Sequence, residues 1–181
     1  MIVISGYSGS GKGTALDSIG ERIPELKRIA TYTTRPMRDD EENGKNYNFV
    51  STQEFKSLLK EGEIVETVRP YKDHSYGSPK LFLEDDGKDI VVEMNHQGFT
   101  FFKDRSERKI IGIFIQANRD ELEDRITDRH PERNLQARMS NSDRMKDFSE
   151  LYDYVVTNDS IEEFEKEILE IVQAELRSAN V

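Results

Sequence analysis

Directly after the apolar run Ile2-Val3-Ile4, the chain reads GYSGSGKGT over residues 6 to 14, and apolar residues at helical spacing follow. Glycines let a backbone wrap closely around phosphate oxygens, and the N–H groups at the start of a helix supply positive potential. A lysine in such a loop reaches the β- and γ-phosphates of a nucleotide. The stretch therefore predicts a P-loop between a strand and a helix. The alternative is a plain Gly/Ser-rich turn, which would need no embedded lysine.

The candidate phosphate ligands are the loop residues Gly6, Ser8, Gly9, Ser10, Gly11, Lys12, Gly13 and Thr14. The strict P-loop pattern has Ser or Thr directly after the lysine, to bind Mg²⁺ through its hydroxyl. Here Gly13 intervenes, so Thr14 is the candidate hydroxyl.

Short apolar runs alternate with helix-period segments along the rest of the chain, which is typical of an α/β fold with a parallel sheet. Four runs are nearly continuous in apolar residues, as strands covered on both faces should be. They are residues 2–5, 90–94, 110–115 and 154–157.

Capping pairs predict where several helices begin, because a Ser or Asn followed three residues later by Glu satisfies free N–H groups. The pairs are Ser51 with Glu54, Asn118 with Glu121, and Ser160 with Glu163. The last one precedes an apolar stripe that runs from Ile161 to Leu176 and indicates a helix docked on the sheet. Ser78-Pro79 predicts a further helix start, with Gly87 as its end.

Length and charge restrict the function classes. The 181 residues suit one domain, and 26 basic against 36 acidic residues give a net charge of −10, which disfavours nucleic acid as a partner. The chain has no Cys, which excludes disulfides and thiolate metal sites. It shows neither a signal-peptide pattern nor an apolar stretch of membrane-spanning length, so we expect no membrane partner and a cytoplasmic location.

The segment TYTTRPMR, residues 31–38, sets Arg35 and Arg38 among hydroxyls, and Tyr47 follows after the turn signal Asn43-Gly44. Guanidinium groups bind phosphate oxygens bidentately, and a tyrosine hydroxyl can add a further bond. The segment favours a second phosphate site. Taken alone, it could equally be an exposed basic loop.

Together these motifs resemble the guanylate kinase family over nearly the whole chain. The resemblance rests on GYSGSGKGT, on TYTTRPMR with NGKNYNFVS, on GEIVE with Tyr76-Gly77-Ser78, on VEMNHQG at residues 92–98, on Arg125, Arg129 and Arg138, and on DYVVTND at residues 153–159.

The resemblance implies a P-loop NTPase-type parallel sheet flanked by helices, with a GMP-binding excursion and a short ATP lid. It implies one domain over residues 1–181, with a core of 1–30, 79–129 and 141–181, a GMP-binding subdomain of 31–78 and a lid of 130–140. The implied activity is phosphoryl transfer from ATP to GMP or dGMP, with Mg²⁺ as cofactor and the two nucleotides as partners.

The resemblance also assigns residues. The GMP phosphate would be held by Arg35, Arg38, Tyr47 and Tyr76, and the base side would be lined by Thr31, Glu66, Ser78 and Asn95. Guanine agrees with this, because its N1 and N2 groups donate to one carboxylate while O6 accepts from a hydroxyl. By the same resemblance, ATP would also contact Arg129 and Asn158. The metal would be bound by Thr14 and Glu93. The transferring phosphoryl group would be stabilised by Lys12, Arg35, Arg125 and Arg138.

This chain departs from the family pattern Asp-x-Asp, since it has Glu93 and Asn95. Its stretch between Arg129 and Arg138 is also shorter than usual. Two alternatives therefore stay open: a kinase of another nucleoside monophosphate or of a phosphorylated sugar, and a guanylate-kinase-like binding module without catalysis. The intact glycine loop with Lys12 counts against the second.

Overall fold

Two β-sheets organise the part of the chain that the computed structural model describes, residues 1–71, 74–117 and 148–179. The larger sheet is parallel and has the order β2-β7-β1-β8-β9, with strands Lys27–Arg28, Ile90–Glu93, Ile2–Gly6, Ile111–Gln116 and Tyr154–Thr157. The smaller sheet has the order β4-β3-β6-β5, with strands Asn48–Phe49, Tyr32–Thr33, His74–Pro79 and Ile64–Tyr71. In it, β6 is antiparallel to both β3 and β5.

Helices cover both faces of the parallel sheet. The described helices are α1 (Lys12–Arg22), α2 (Thr52–Glu61), α3 (His96–Arg105) and α4 (Ile161–Ala179), with 3₁₀ turns at Lys80–Phe82 and Ser149–Leu151. Ile2 and Ile4 face α1 and α4, whereas Val3 faces the aromatic residues of α3, because side chains of a strand alternate between its faces. None of the described helices is both long and apolar enough to span a membrane.

The expected α/β architecture is confirmed, and each of the four predicted strands is present within one residue of its predicted bounds. The last strand is less covered than predicted: β9 lies at the sheet edge, where Val155 is 43% exposed. The start of α2 is confirmed by the Ser51 hydroxyl, which accepts from the Glu54 amide at 3.1 Å. The predicted cap of Asn118 with Glu121 lies outside the described residues.

The helix predicted from Ser78-Pro79 is wrong. Both residues end strand β6, and only the 3₁₀ turn Lys80–Phe82 follows before the chain reaches Gly87. The Ser78 hydroxyl does not cap a helix but donates to the carboxylate of Glu66 at 2.8 Å. Proline fits here because the pairing of β6 with β5 is irregular at this point, where the register shifts between Ile64 and Glu66. In α4, the stripe predicted from the sequence packs through Phe164, but its first member, Ile161, is 61% exposed.

Candidate active site

The loop between β1 and α1 has the backbone that a P-loop requires. Gly6 and Gly11 have φ values of +146° and +103°, a region that other residues rarely adopt. A Cβ atom on Gly6 would overlap the carbonyl oxygen of Ile115, and one on Gly11 would overlap the side-chain amide of Asn158. The N-cap of α1 is Gly11, so the first N–H groups of the helix face the loop. The predicted strand, loop and helix are thereby confirmed.

Asn158 supports this loop from the carboxyl end of β9. Its side-chain nitrogen donates to the Ser10 carbonyl at 2.9 Å, and the residue is only 4% exposed. The sequence placed Asn158 among the ATP ligands. The structure places it behind the loop backbone, where its described contact fixes the loop.

Lys12 lies over the loop at the start of α1. Its Nζ donates to the carbonyl of Tyr7 at 2.8 Å and to that of Gly6 at 3.2 Å, and it lies 3.7 Å from Oε1 of Glu93. Glu93 ends β7, and Ile4 of β1 is its partner in the parallel register. The carboxylate therefore lies at the carboxyl edge of the sheet, where ligands of open α/β sheets bind.

The oxygen donors near the loop suit Mg²⁺. Thr14 lies half-buried in the first turn of α1, and the side chain of Glu93 is 26% exposed. Magnesium in such sites uses one or two protein oxygens together with substrate phosphates and water. Among the described residues there is no cluster of three His, Cys, Asp or Glu side chains that could hold a metal ion.

A second polar cluster lies on the smaller sheet. Arg35, only 8% exposed, forms two hydrogen bonds of 2.7 Å with the carboxylate of Glu41. Its guanidinium carbon lies 5.4 Å from the ring centre of Tyr47 and 5.3 Å from that of Phe49. The rings of Tyr47 and Tyr76 are 5.7 Å apart. The structure thus brings together three of the four residues assigned to the acceptor phosphate.

Arg38, the fourth, reaches the same cluster. Its amide donates to Glu41 at 2.9 Å, and its Nη1 lies 3.8 Å from the Glu41 carboxylate. Its side chain is 29% exposed, so this guanidinium borders solvent. A phosphate that enters here would meet two guanidinium groups and two phenol hydroxyls.

Charges in the cluster are fixed near neutral pH. Burial opposes ionisation of Glu41, but the hydrogen bonds from Arg35 and from the Arg38 amide lower the pKa of its carboxyl. Burial also opposes the charge of Arg35, yet its bonds to Glu41 raise the pKa of the guanidinium. Desolvation, followed by the charge of Glu93, raises the pKa of Tyr47 well above its usual value. Its hydroxyl therefore stays a neutral hydrogen-bond donor.

The base side contains a buried carboxylate with a hydroxyl partner. Glu66 on β5 and Ser78 on β6 face each other in the register, and both are less than 10% exposed. Burial raises the pKa of Glu66, although the bond from Ser78 opposes the shift. Thr31 is buried one residue before β3 of the same sheet. Two of the four residues predicted to line the base side, Glu66 and Ser78, are therefore in direct contact.

Asn95 is committed to its helix. It is the N-cap of α3, and its side-chain oxygen accepts from the Gly98 amide at 2.9 Å. A Cβ atom on Gly98 would lie 3.5 Å from the Glu66 carboxylate, so this first turn of α3 borders the base side. Because the side-chain oxygen of Asn95 already accepts from the Gly98 amide, only its side-chain nitrogen remains to contact a base as well.

Arg125, Arg129 and Arg138, predicted to bind or stabilise the ATP phosphates, lie outside the described residues, as does the predicted lid. Sequence reasoning missed Glu41. It stands in the acidic run Asp39-Asp40-Glu41-Glu42, where no local pattern marks one carboxylate as buried. Its spacing of three residues from Arg38 was the only available signal.

A parallel sheet with a P-loop at its carboxyl edge, and a separate cluster of two arginines and two tyrosines, define a P-loop phosphotransferase fold. The family model "Guanylate kinase" matches residues 1–175. A guanylate kinase of Caldanaerobacter subterraneus is 34% identical over 180 residues, which cover 97% of this chain and 87% of the relative. A guanylate kinase of Clostridium perfringens is 32% identical over 180 residues, which cover 97% of this chain and 83% of the relative. The chain belongs to the guanylate kinase family.

Solved structures agree with this assignment. A guanylate kinase from Anaplasma phagocytophilum superposes with a TM-score of 0.77 at 30% identity and covers 97% of this chain and 85% of its own. A gluconokinase from Sinorhizobium meliloti superposes with a TM-score of 0.55 at 15% identity, over 99% of this chain and 94% of its own. At that identity the second likeness shows the fold alone.

Proposed function

We propose that this chain transfers the γ-phosphoryl group of MgATP to GMP or dGMP and releases ADP and GDP. The family membership supports an ATP:GMP phosphotransferase, and neither alternative drawn from the sequence is favoured by the comparisons. The buried carboxylate of Glu66 supports the choice of GMP as acceptor. Glu66 lies on the smaller sheet, whereas the P-loop follows a strand of the larger sheet, and its carboxylate faces the first turn of α3.

The donor nucleotide binds at the P-loop. The backbone of residues 6–14 surrounds the phosphates, and the start of α1 adds positive potential. Lys12 exchanges its contacts with the loop carbonyls and Glu93 for the β- and γ-phosphate oxygens. Thr14 and Glu93 would hold the Mg²⁺ ion, which neutralises phosphate charge when bound. Arg129 and Asn158 complete the predicted set of ATP ligands.

The acceptor binds at the smaller sheet. Arg35, Arg38, Tyr47 and Tyr76 hold the GMP phosphate, and Glu66 accepts from N1 and N2 of guanine, with Thr31, Ser78 and Asn95 beside the base. Adenine presents an acceptor at N1, which leaves the carboxylate unpaired. The subdomain of residues 31–78 would therefore select the acceptor.

The chemical step needs little from the protein beyond position and charge. An oxygen of the GMP phosphate forms a bond to the γ-phosphorus as the bond from that phosphorus to the β,γ-bridging oxygen breaks. The acceptor is already ionised, since the second pKa of a phosphate monoester is about 6. Lys12 and Arg35, with Arg125 and Arg138 from the predicted lid, stabilise charge on the transferring group.

A cytoplasmic location stays a prediction.

The test is ADP formation from MgATP with a panel of GMP, dGMP, AMP, UMP, CMP and sugar phosphates. We expect turnover with GMP and dGMP to exceed that with the other acceptors. Preference for AMP or for a sugar phosphate would refute the acceptor assignment. No turnover with any acceptor, together with tight GMP binding, would indicate a binding module.

A further inference from the structure

Glu41 is a carboxylate buried between two arginines on the acceptor side. Its side chain is 9% exposed, and the Arg35 side chain is equally buried. Both carboxylate oxygens are used: Oε1 accepts from Nη2 of Arg35, and Oε2 accepts from Nη1 of Arg35 and from the Arg38 amide. Such a carboxylate is costly to bury unless its bonds are satisfied, and here they are.

The bonds that Arg35 makes to Glu41 and to the Pro36 carbonyl determine which of its N–H donors remain for other partners. A guanidinium has five N–H donors in a plane. Two go to Glu41, and Nη1 also donates to the Pro36 carbonyl at 2.8 Å. The remaining donors are Nε–H and one hydrogen of Nη2, which share one edge; the Tyr76 hydroxyl also forms a hydrogen bond with this guanidinium. That edge has the two parallel donors that a phosphate accepts in a bidentate pair.

The Tyr47 and Phe49 rings, 5.4 Å and 5.3 Å from the guanidinium carbon, restrict its plane, and the Tyr76 hydroxyl is a further neighbour. Arg38 is held differently. Glu41 binds its backbone amide at 2.9 Å while the side chain stays 29% exposed. One carboxylate thus binds the guanidinium of Arg35 and both the backbone amide and, at 3.8 Å, the guanidinium of Arg38.

We infer that Glu41 is a positioning residue for the acceptor phosphate: its carboxylate holds the Nη1/Nη2 edge of Arg35, so that the adjacent Nε/Nη2 edge presents two parallel donors, and it fixes the backbone of Arg38. This inference rests on the proposed function, since it takes the phosphate of GMP as the group that these arginines bind. Glu41 itself does not touch the substrate.

Electrostatic repulsion alone would give the opposite effect, because a carboxylate repels a phosphate. The geometry points to positioning as the larger effect, because both carboxylate oxygens face N–H donors and their charge is neutralised locally. In Glu41→Gln, the amide NH₂ would face a guanidinium donor, so one of the two bonds is lost and Arg35 can rotate. The cluster of two arginines and one carboxylate would gain a positive charge, so any tightening of GMP would reveal repulsion as dominant.

The experiment compares the binding of GMP and of guanosine, which lacks the phosphate, to wild type and Glu41→Gln by titration calorimetry. We expect GMP to bind at least tenfold more weakly in the variant and guanosine to bind within twofold of wild type. In steady-state assays, KM for GMP should rise while KM for ATP stays within twofold. The matched control is Glu42→Gln, which makes the same charge change at the exposed neighbouring residue and should leave all these values unchanged.

Equal losses for GMP and guanosine would mean a merely structural role and would overturn the inference, as would unchanged or tighter GMP binding. If Glu41→Gln does not fold, Glu41→Asp provides the same comparison, because it keeps the charge and withdraws the carboxylate by one methylene. We expect it to lose GMP affinity selectively, and equal effects on both ligands would again refute positioning. The proposed function is judged separately, by whether wild type phosphorylates GMP.

Discussion

Replacing Glu66 by glutamine should separate recognition of the base from stability of the fold. Glutamine has nearly the same shape, and its amide oxygen can still accept the 2.8 Å hydrogen bond that Ser78 donates. Its NH₂ group would then face the N1 and N2 donors of guanine, where two donors meet without an acceptor. The substitution therefore removes the acceptor of the guanine edge and leaves the internal contact in place.

The magnitude follows from the burial of the carboxylate. A hydrogen bond to a charged group contributes about 1.5 to 3 kcal/mol, and Glu66 is only 9% exposed, so water cannot replace it fully. At about 1.4 kcal/mol for each factor of ten, kcat/KM for GMP should fall roughly 10- to 150-fold. Turnover of AMP should not fall, because a glutamine NH₂ can donate to the N1 acceptor of adenine.

Stability should change in the opposite direction. Burial raises the pKa of Glu66, so the folded protein binds this proton more tightly than the unfolded chain does. Ionisation of Glu66 therefore costs stability, and that cost develops as pH rises from the ordinary glutamate range through the raised pKa. Glu66→Gln removes the cost, so without nucleotide its Tm at neutral pH should equal or exceed that of wild type.

The assay is kcat/KM for GMP and for AMP in wild type and Glu66→Gln, with thermal unfolding of both proteins in the absence of nucleotide. Glu63→Gln is the matched control, since Glu63 is exposed just before β5 and the substitution changes the same charge. A GMP/AMP ratio within twofold of wild type in Glu66→Gln would remove Glu66 from the base site. A Tm several degrees below wild type would contradict the stated cost of its ionisation.

Three further substitutions test other parts of the site. Lys12→Ala should lower kcat about 10²- to 10³-fold in the ADP assay with an unchanged Tm, because it removes a positive charge and little packing. Asn95→Asp should lower the KM for GMP, because a carboxylate can still accept from the Gly98 amide and restores an acceptor beside the base. A KM that rises would show that the amide is preferred there. Gly77→Ala should cost about 1 to 3 kcal/mol in urea unfolding, since its Cβ would lie 2.6 Å from Ile64; an unaltered midpoint would refute this.

The parallel sheet could be predicted because its strands are buried on both faces and appear in the sequence as apolar runs. β1, β7 and β8 have this property, and their bounds were predicted within one residue. β2 could not be predicted, since Lys27–Arg28 is polar and short and is a strand only through its pairing with β7. The same applies to Ser78, whose local sequence matches a helix cap while its partner, Glu66, is twelve residues away in the chain.

At the candidate site, the residues that the sequence marked were those whose chemistry is local. The P-loop glycines are required by backbone angles within a few residues, and the arginines of residues 31–38 stand together in the chain. What the sequence could not show was which carboxylate of the run 39–42 turns inward. Which carboxylate turns inward depends on Tyr47 and Phe49, because their rings pack against the Arg35 guanidinium while one edge of it binds the carboxylate of Glu41.

The two buried carboxylates of the acceptor side differ in what compensates their charge. Glu41 is neutralised by arginines, which lower its pKa, so its contribution to stability is present above the ordinary glutamate range and is lost only as pH falls through that lowered value. Glu66 has a hydroxyl partner and a raised pKa, so it gains a proton first as pH falls. Acidification should therefore weaken the distinction between guanine and adenine while the phosphate cluster is still intact. This arrangement leaves Glu66 with capacity to accept further hydrogen bonds, which in the proposed complex the N1 and N2 donors of guanine would use.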